Sequence, residues 1–205
     1  VVSGVSVRFA VASGGGSVSG GSQTTDAGGV ATIGSWTLGA TMGANTLSAT
    51  SGALTGSPLT FTATGVAGTA TQIAINAGNS QTAIAGAAVS TAPSVIVKDA
   101  NNNVVSGVSV TFAVASGGGS ITGGSQTTKA SGVATIGSWT LGTTMGANTL
   151  SATSAALAGS PLTFSAIGVA GVATQIAISG GDGQSATAGS AVATAPSVTV
   201  KDANN

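Results

Sequence analysis

A chain of 205 residues with four acidic and four basic side chains, a formal net charge of zero and no cysteine, histidine, glutamate or tyrosine excludes much chemistry at the outset. The commonest general base, the thiol nucleophile and most metal-ligand sets are missing. No basic stripe exists to hold a nucleic-acid backbone, and no disulfide can staple a small core. Glycine is frequent, with 34 residues, but a mean hydropathy of +0.50 without net charge is the opposite of a disordered composition. β-Branched Val, Thr and Ile supply the bulk while the usual helix formers are scarce, so the chain is read as all-β.

In chain order, Val5, Val7, Phe9 and Val11 alternate with Ser6, Arg8 and Ala10, which predicts an amphipathic strand. The loop ASGGG follows, then a short segment around Val18 and the run SQTTDAGG with its turn at Asp26 to Gly29. Ala31 and Ile33 alternate in one parity and Trp36 and Leu38 in the other. In the second occurrence of these words the change of phase falls at Gly137-Ser138, where a β-bulge would return Trp139 to the core face. A strand around Leu47 and one opened by Pro58 complete this part. After Gly65-Val66-Ala67-Gly68, Ile73 and Ile75 mark a new first strand, NAGNSQTAIAGA is read as a loop, and Val95 and Val97 lead to the turn KDANNN.

At Val104 the order begins again. Lys201 lies 103 residues after Lys98, and Trp139 and Phe164 lie the same distance after Trp36 and Phe61. A tandem repeat of that length has the size of a sandwich domain of roughly 100 residues. The expected domains are 1–67, a partial sandwich with strands C to G; 68–170, a complete one; and 171–205, which supplies only strands A and B. Differences between repeats fall on predicted outward positions, such as Arg8 against Thr111 and Ile96 against Thr199, or in the segment from Asn76 to Ser90. Inward partners such as Phe9 and Phe112 are identical. The C-terminal part of one copy is expected to complete the sandwich begun by the N-terminal part of the next.

The order KDANNNVVSGVSVTFAV, Gly-rich loop, TTKASGVATI, ANTLSAT resembles the bacterial immunoglobulin-like domains of group one, the invasin and intimin type, over the whole chain. That resemblance implies tandem seven-strand Greek-key sandwiches used as repeated stalks in large surface or secreted proteins.

No residue stands out as catalytic, cofactor-binding or metal-ligating. Lys98-Asp99 and Lys201-Asp202 recur at one place in the repeat and read as turns in which the Asp bonds to nearby backbone. A Lys98–Asn148 isopeptide would need an acid beside it, and Asp99 is the one acid that repeats. Calcium sites are not expected, because Asp26 is matched by Lys129 and Asp182 by Asn79. No apolar run approaches the roughly 18 residues of a membrane span. No signal or anchor is read, and the sequence has the look of a window from something longer.

The chain is therefore read as a structural repeat, not an enzyme. It belongs to a long extracellular or cell-surface immunoglobulin-like polymer, a fibre, sheath or stalk that self-associates through backbone and apolar packing, with other copies or further repeats as partners. The alternative is a stalk or ligand-binding segment of a bacterial surface adhesin.

Overall fold

The computed structural model describes residues 1–52, 54–155 and 157–204; Asn205, the last residue of the expected third segment, lies outside them. Among the described residues every regular element but isolated bridges and turns is a strand, as the β-branched composition requires. The chain divides into two compact units, Val1–Gln72 with Lys98–Val105, and Ile73–Val97 with Ser106–Asn205.

The first unit contains β1 (Ser6–Ser13), β2 (Gly16–Ser19), β3 (Ser22–Thr24), β4 (Ser35–Leu38), β5 (Gly43–Thr50) and β6 (Leu59–Gly65). An antiparallel sheet runs β3-β1-β5-β6, and β2 pairs with β4 in a separate ribbon. Period-two alternation puts Phe9, Leu47 and Ala49 in a small buried cluster, with Val7, Val11, Ile33 and Trp36 packed against it. Val30 to Ile33 form no strand.

The second unit is built from β7 (Ala70–Ala77), whose first residues belong to the first unit, β8 (Gln81–Ile84), β9 (Ser94–Asp99), whose Lys98 and Asp99 belong to the first unit, β10 (Ser109–Ser116), β11 (Ser120–Thr122), β12 (Ser125–Thr127), β13 (Val133–Thr135), β14 (Ser138–Thr140), β15 (Gly146–Thr153), β16 (Leu162–Val169), β17 (Gln175–Gly180) and β18 (Ser197–Lys201). One sheet runs β12-β10-β15-β16-β8, a second runs β13-β9-β7, β11 pairs with β14, and β17 with β18. Val95, Val97 and Ala134 of the three-stranded sheet and Val110, Phe112, Leu150 and Phe164 of the five-stranded sheet are all buried, which makes the core of an all-β sandwich.

Two local expectations are corrected. The segment from Asn76 to Ala87 is not all loop: β8 lies within it and pairs in parallel with β16, Ala166 opposite Gln81 and Val169 opposite Ile84. The Gln81 side chain draws that segment together, accepting from the Thr91 N–H at 2.9 Å and donating to the carbonyls of Gly78 at 2.9 Å and Thr91 at 2.8 Å. The phase change at Gly137 is not a bulge but a change of partner. Ile136 donates to the Pro93 carbonyl at 3.2 Å, and the next residue, Gly137, donates to the Thr122 carbonyl at 2.9 Å. The chain thus leaves β9 and joins β11, and Ala134, Ile136, Trp139 and Leu141 all stay buried. The one expected strand through Gly137 is thus divided into β13 and β14, each half pairing with a different neighbour.

The connection from β14 to β15 is held by a buried amide. Asn148 accepts from the Gly142 N–H at 3.0 Å and donates to the Gly146 carbonyl at 3.2 Å, so its side chain ties the two ends of that connection together. Asn45 does the same in the first unit with Gly39 and Gly43.

Candidate functional site

Identical side chains meet different surroundings in the two units. Phe164 is fully buried, whereas Phe61, the same residue one repeat earlier, is 47% exposed. Each packs on its neighbouring phenylalanine at nearly the same separation, Phe9 at 6.2 Å and Phe112 at 6.3 Å, so the aromatic pair itself is unchanged. What differs is the cover. In the second unit the sheet of β7, β9 and β13 lies over the core; in the first, among the described residues, no such sheet exists, and a cleft of about 320 Å³ opens among Phe9, Ala31, Ile33, Trp36, Leu47 and Phe61. Among the described residues the edge of β6 away from β5 likewise lacks the partner that β8 gives β16.

A second exposed apolar surface is the β17–β18 hairpin. Ile176 faces Val200 and Ile178 faces Val198 across the ladder, so four aliphatic side chains share one side. These are 58–70% exposed, while of their counterparts Ile73, Val95 and Val97 are at most 4% exposed and Ile75 is half-buried. The hairpin keeps its shape without cover: Gln184 repeats the Gln81 bonds, with the Gly181 carbonyl at 2.8 Å and with the Thr194 N–H at 2.7 Å.

The recurring Asp residues close turns. In the first unit Asp99 accepts from the N–H groups of Asn101 and Asn103, both at 2.9 Å, from the Asn103 side-chain amide at 3.0 Å, and from the Gly68 N–H at 2.8 Å. In the second, Asp202 accepts from Asn204 at 2.8 Å and Gly171 at 2.7 Å. The Asn103 side chain and the Gly68 N–H hold the Asp99 carboxyl below its ordinary pKa, and the Gly171 and Asn204 N–H groups do so for Asp202. Because the folded value is depressed, the stabilisation is present above the unfolded value and is lost as pH falls below about 4 and through the folded value. Stability is therefore expected to fall more steeply with acid when Asp99 is present than in Asp99→Asn, whose acid limb should be flatter. A circular-dichroism titration of both proteins checks this, and parallel acid limbs would refute it.

Asp26 accepts from the Val30 N–H at 2.9 Å, and Lys129 occupies the same turn without a carboxylate, the backbone bond to Val133 persisting at 3.0 Å. Asn148 is committed to its loop, and Asn79 accepts from the Ser165 N–H at 2.9 Å. Asp182 lies between β17 and β18. Among the described residues no group of three His, Cys, Asp or Glu could hold a metal ion, and no helix is long and apolar enough to cross a membrane.

This arrangement has solved counterparts. FdeC, an Escherichia coli adhesin, superposes with a TM-score of 0.62 at 19% identity over 99% of this chain and 64% of that one. Yersinia pseudotuberculosis InvD superposes at 0.58 with 18% identity over 99% of this chain and 61% of that one. The fold is the bacterial immunoglobulin-like sandwich. The chain spans somewhat less than two thirds of each of those two structures. The D0-D1 domain of intimin is matched at 24% identity with a TM-score of 0.33, covering 81% of this chain and 80% of that one. No protein-family model and no curated protein matches the sequence. The immunoglobulin-like fold that the resemblance implies is thus found, and β8 and the change of partner at Gly137 are parts of it that the sequence did not disclose.

Proposed function

We propose that this chain is a load-bearing segment of a bacterial surface or secreted stalk, in which immunoglobulin-like sandwiches are repeated to span distance and associate through backbone pairing and apolar packing. In this reading 68–170 is one complete domain, with 1–67 and 171–205 the parts of two others, and the chain is not an enzyme. The observation that carries it is the repeat itself: the large inward residues Phe9 and Phe112, Trp36 and Trp139, Leu47 and Leu150, and Phe61 and Phe164 are identical 103 positions apart, while most change falls on outward positions, turns and the segment from Asn76 to Ser90. A packed sandwich requires that pattern, and a ligand site would instead place its distinctive side chains in the loops. Surface location follows from the same reading and from the adhesins that share the fold.

Electron microscopy of the material on its native surface tests this. Rods of uniform width with an axial period of one sandwich are the expected image. A compact particle without axial period would overturn the proposal.

A further inference from the structure

We infer that the parallel pairing of β8 with β16 is the mechanical clamp of the second unit, the contact that must shear before tension along the chain can unfold it. The inference rests on the stalk reading above and names where such a stalk bears its load.

The direction of the strands carries the argument. The ladder runs from Ala166 opposite Gln81 to Val169 opposite Ile84, with both strands pointing the same way. Tension reaches β8 at its first residue, from the side of β7, and leaves β16 at its last residue, from which the chain continues towards β17. The two pulls are opposed and lie along the strands, so the ladder can only slide, and its evenly spaced bonds share the load until they break together. The other ladders of this sheet, β12 on β10, β10 on β15 and β15 on β16, are antiparallel. In the last of these Gly146 lies opposite Gly168, so once β8 has slipped, the loaded end of β16 peels from β15 one rung at a time.

The surroundings of the ladder suit that role. Ahead of it the Asn79 side chain adds a rung, its Oδ1 accepting from the Ser165 N–H at 2.9 Å and from the Ser165 hydroxyl at 3.3 Å. Beyond it the Ala85 N–H donates to the Val169 carbonyl at 2.9 Å. The Gln81 side chain, bonded to Gly78 and Thr91, fixes the start of β8 so that the preceding loop yields no slack. On the inner side Ala85, Ala166 and Gly168 are buried, and a Cβ on Gly168 would stand 3.5 Å from that of Ala85. On the outer side Ile84, Ile167 and Val169, 39–54% exposed, flank the ladder and hinder the water that would replace a stretched bond.

The chain has no cysteine, so introduced pairs attach tethers at chosen points. In the 205-residue chain, A74C with A170C loads β8 and β16 at opposite ends of their ladder, and A74C with T163C loads them at the same end. All three positions are exposed, and urea unfolding is expected to give both proteins the same stability. At one fixed force in optical tweezers, the second unit should unfold about 100-fold or more slowly through Ala74 and Ala170 than through Ala74 and Thr163, because only the first geometry loads all rungs at once. Adding N79A should speed unfolding through Ala74 and Ala170 about 10-fold, as the loss of one hydrogen bond from the barrier does. The same change should leave the rate through Ala74 and Thr163 unaltered, since rungs there break singly. N79D keeps the acceptor oxygen and should restore the slow rate; Asp182 stands at that position in the next repeat. Equal rates in the two geometries, or an N79A variant that speeds both alike, would overturn the inference. Periodic rods by microscopy together with equal rates would sink the clamp and leave the stalk reading standing.

Discussion

Phe164→Ala is expected to destabilise the second unit by about 3–5 kcal/mol, the range for removing a fully buried phenylalanine, while Phe61→Ala in dilute protein costs about 1 kcal/mol. The two positions have the same residue, near-identical neighbours in sequence and the same phenylalanine pair at 6.2 and 6.3 Å. The difference arises entirely from cover: Phe164 loses contacts on every side when truncated, and Phe61 already has water on one side. Urea unfolding followed by hydrogen exchange, which resolves the two units, measures both losses. Equal losses in dilute protein would show that the face of the first unit is covered within a single chain.

Gly142→Ala is expected to cost about 3 kcal/mol, as overpacking against rigid backbone does. A Cβ at Gly142 would fall on the Gly117 carbonyl, with the Gly117 carbonyl carbon at 3.0 Å and that of Gly118 at 3.4 Å, all backbone atoms that cannot rotate away. Relief requires the glycine loop to lift, which would also break the Asn148 bond to the Gly142 N–H. Gly107→Ala in the same unit is the matched control. Gly107 has φ +79 with nothing within 4 Å of its Cβ position, so the left-handed backbone alone is penalised, at about 1 kcal/mol. Thermal unfolding of the two variants separates the causes, and a Gly142→Ala protein as stable as Gly107→Ala would show that the loop is not held against Gly142.

Much of the fold was legible because it depends on local pattern. Alternation at Val5 to Val11 and at Leu150 and Ala152 placed strands and their inward faces, since a pleated strand sends successive side chains to opposite sides. The role of Asp99 was legible because a short carboxylate ahead of Asn-rich sequence bonds to backbone two and four residues on, a geometry set within the turn. The repeat of inward residues announced a sandwich before any contact was known.

Other features depend on which strand lies alongside, and no local pattern encodes that. Ala134 and Trp139 change parity because the chain exchanges β9 for β11 between Ile136 and Gly137, and β8 is a strand because β16 presents it an edge. The tight seat of Gly142 on Gly117 comes from two loops brought together by strands far apart in sequence. Phe61 and Phe164 mark the limit most clearly. The sequence by itself determined that each belongs to an inward face, because that follows from its own strand; only the tertiary structure decided which of them is buried, because burial depends on whether a second sheet is there to exclude water.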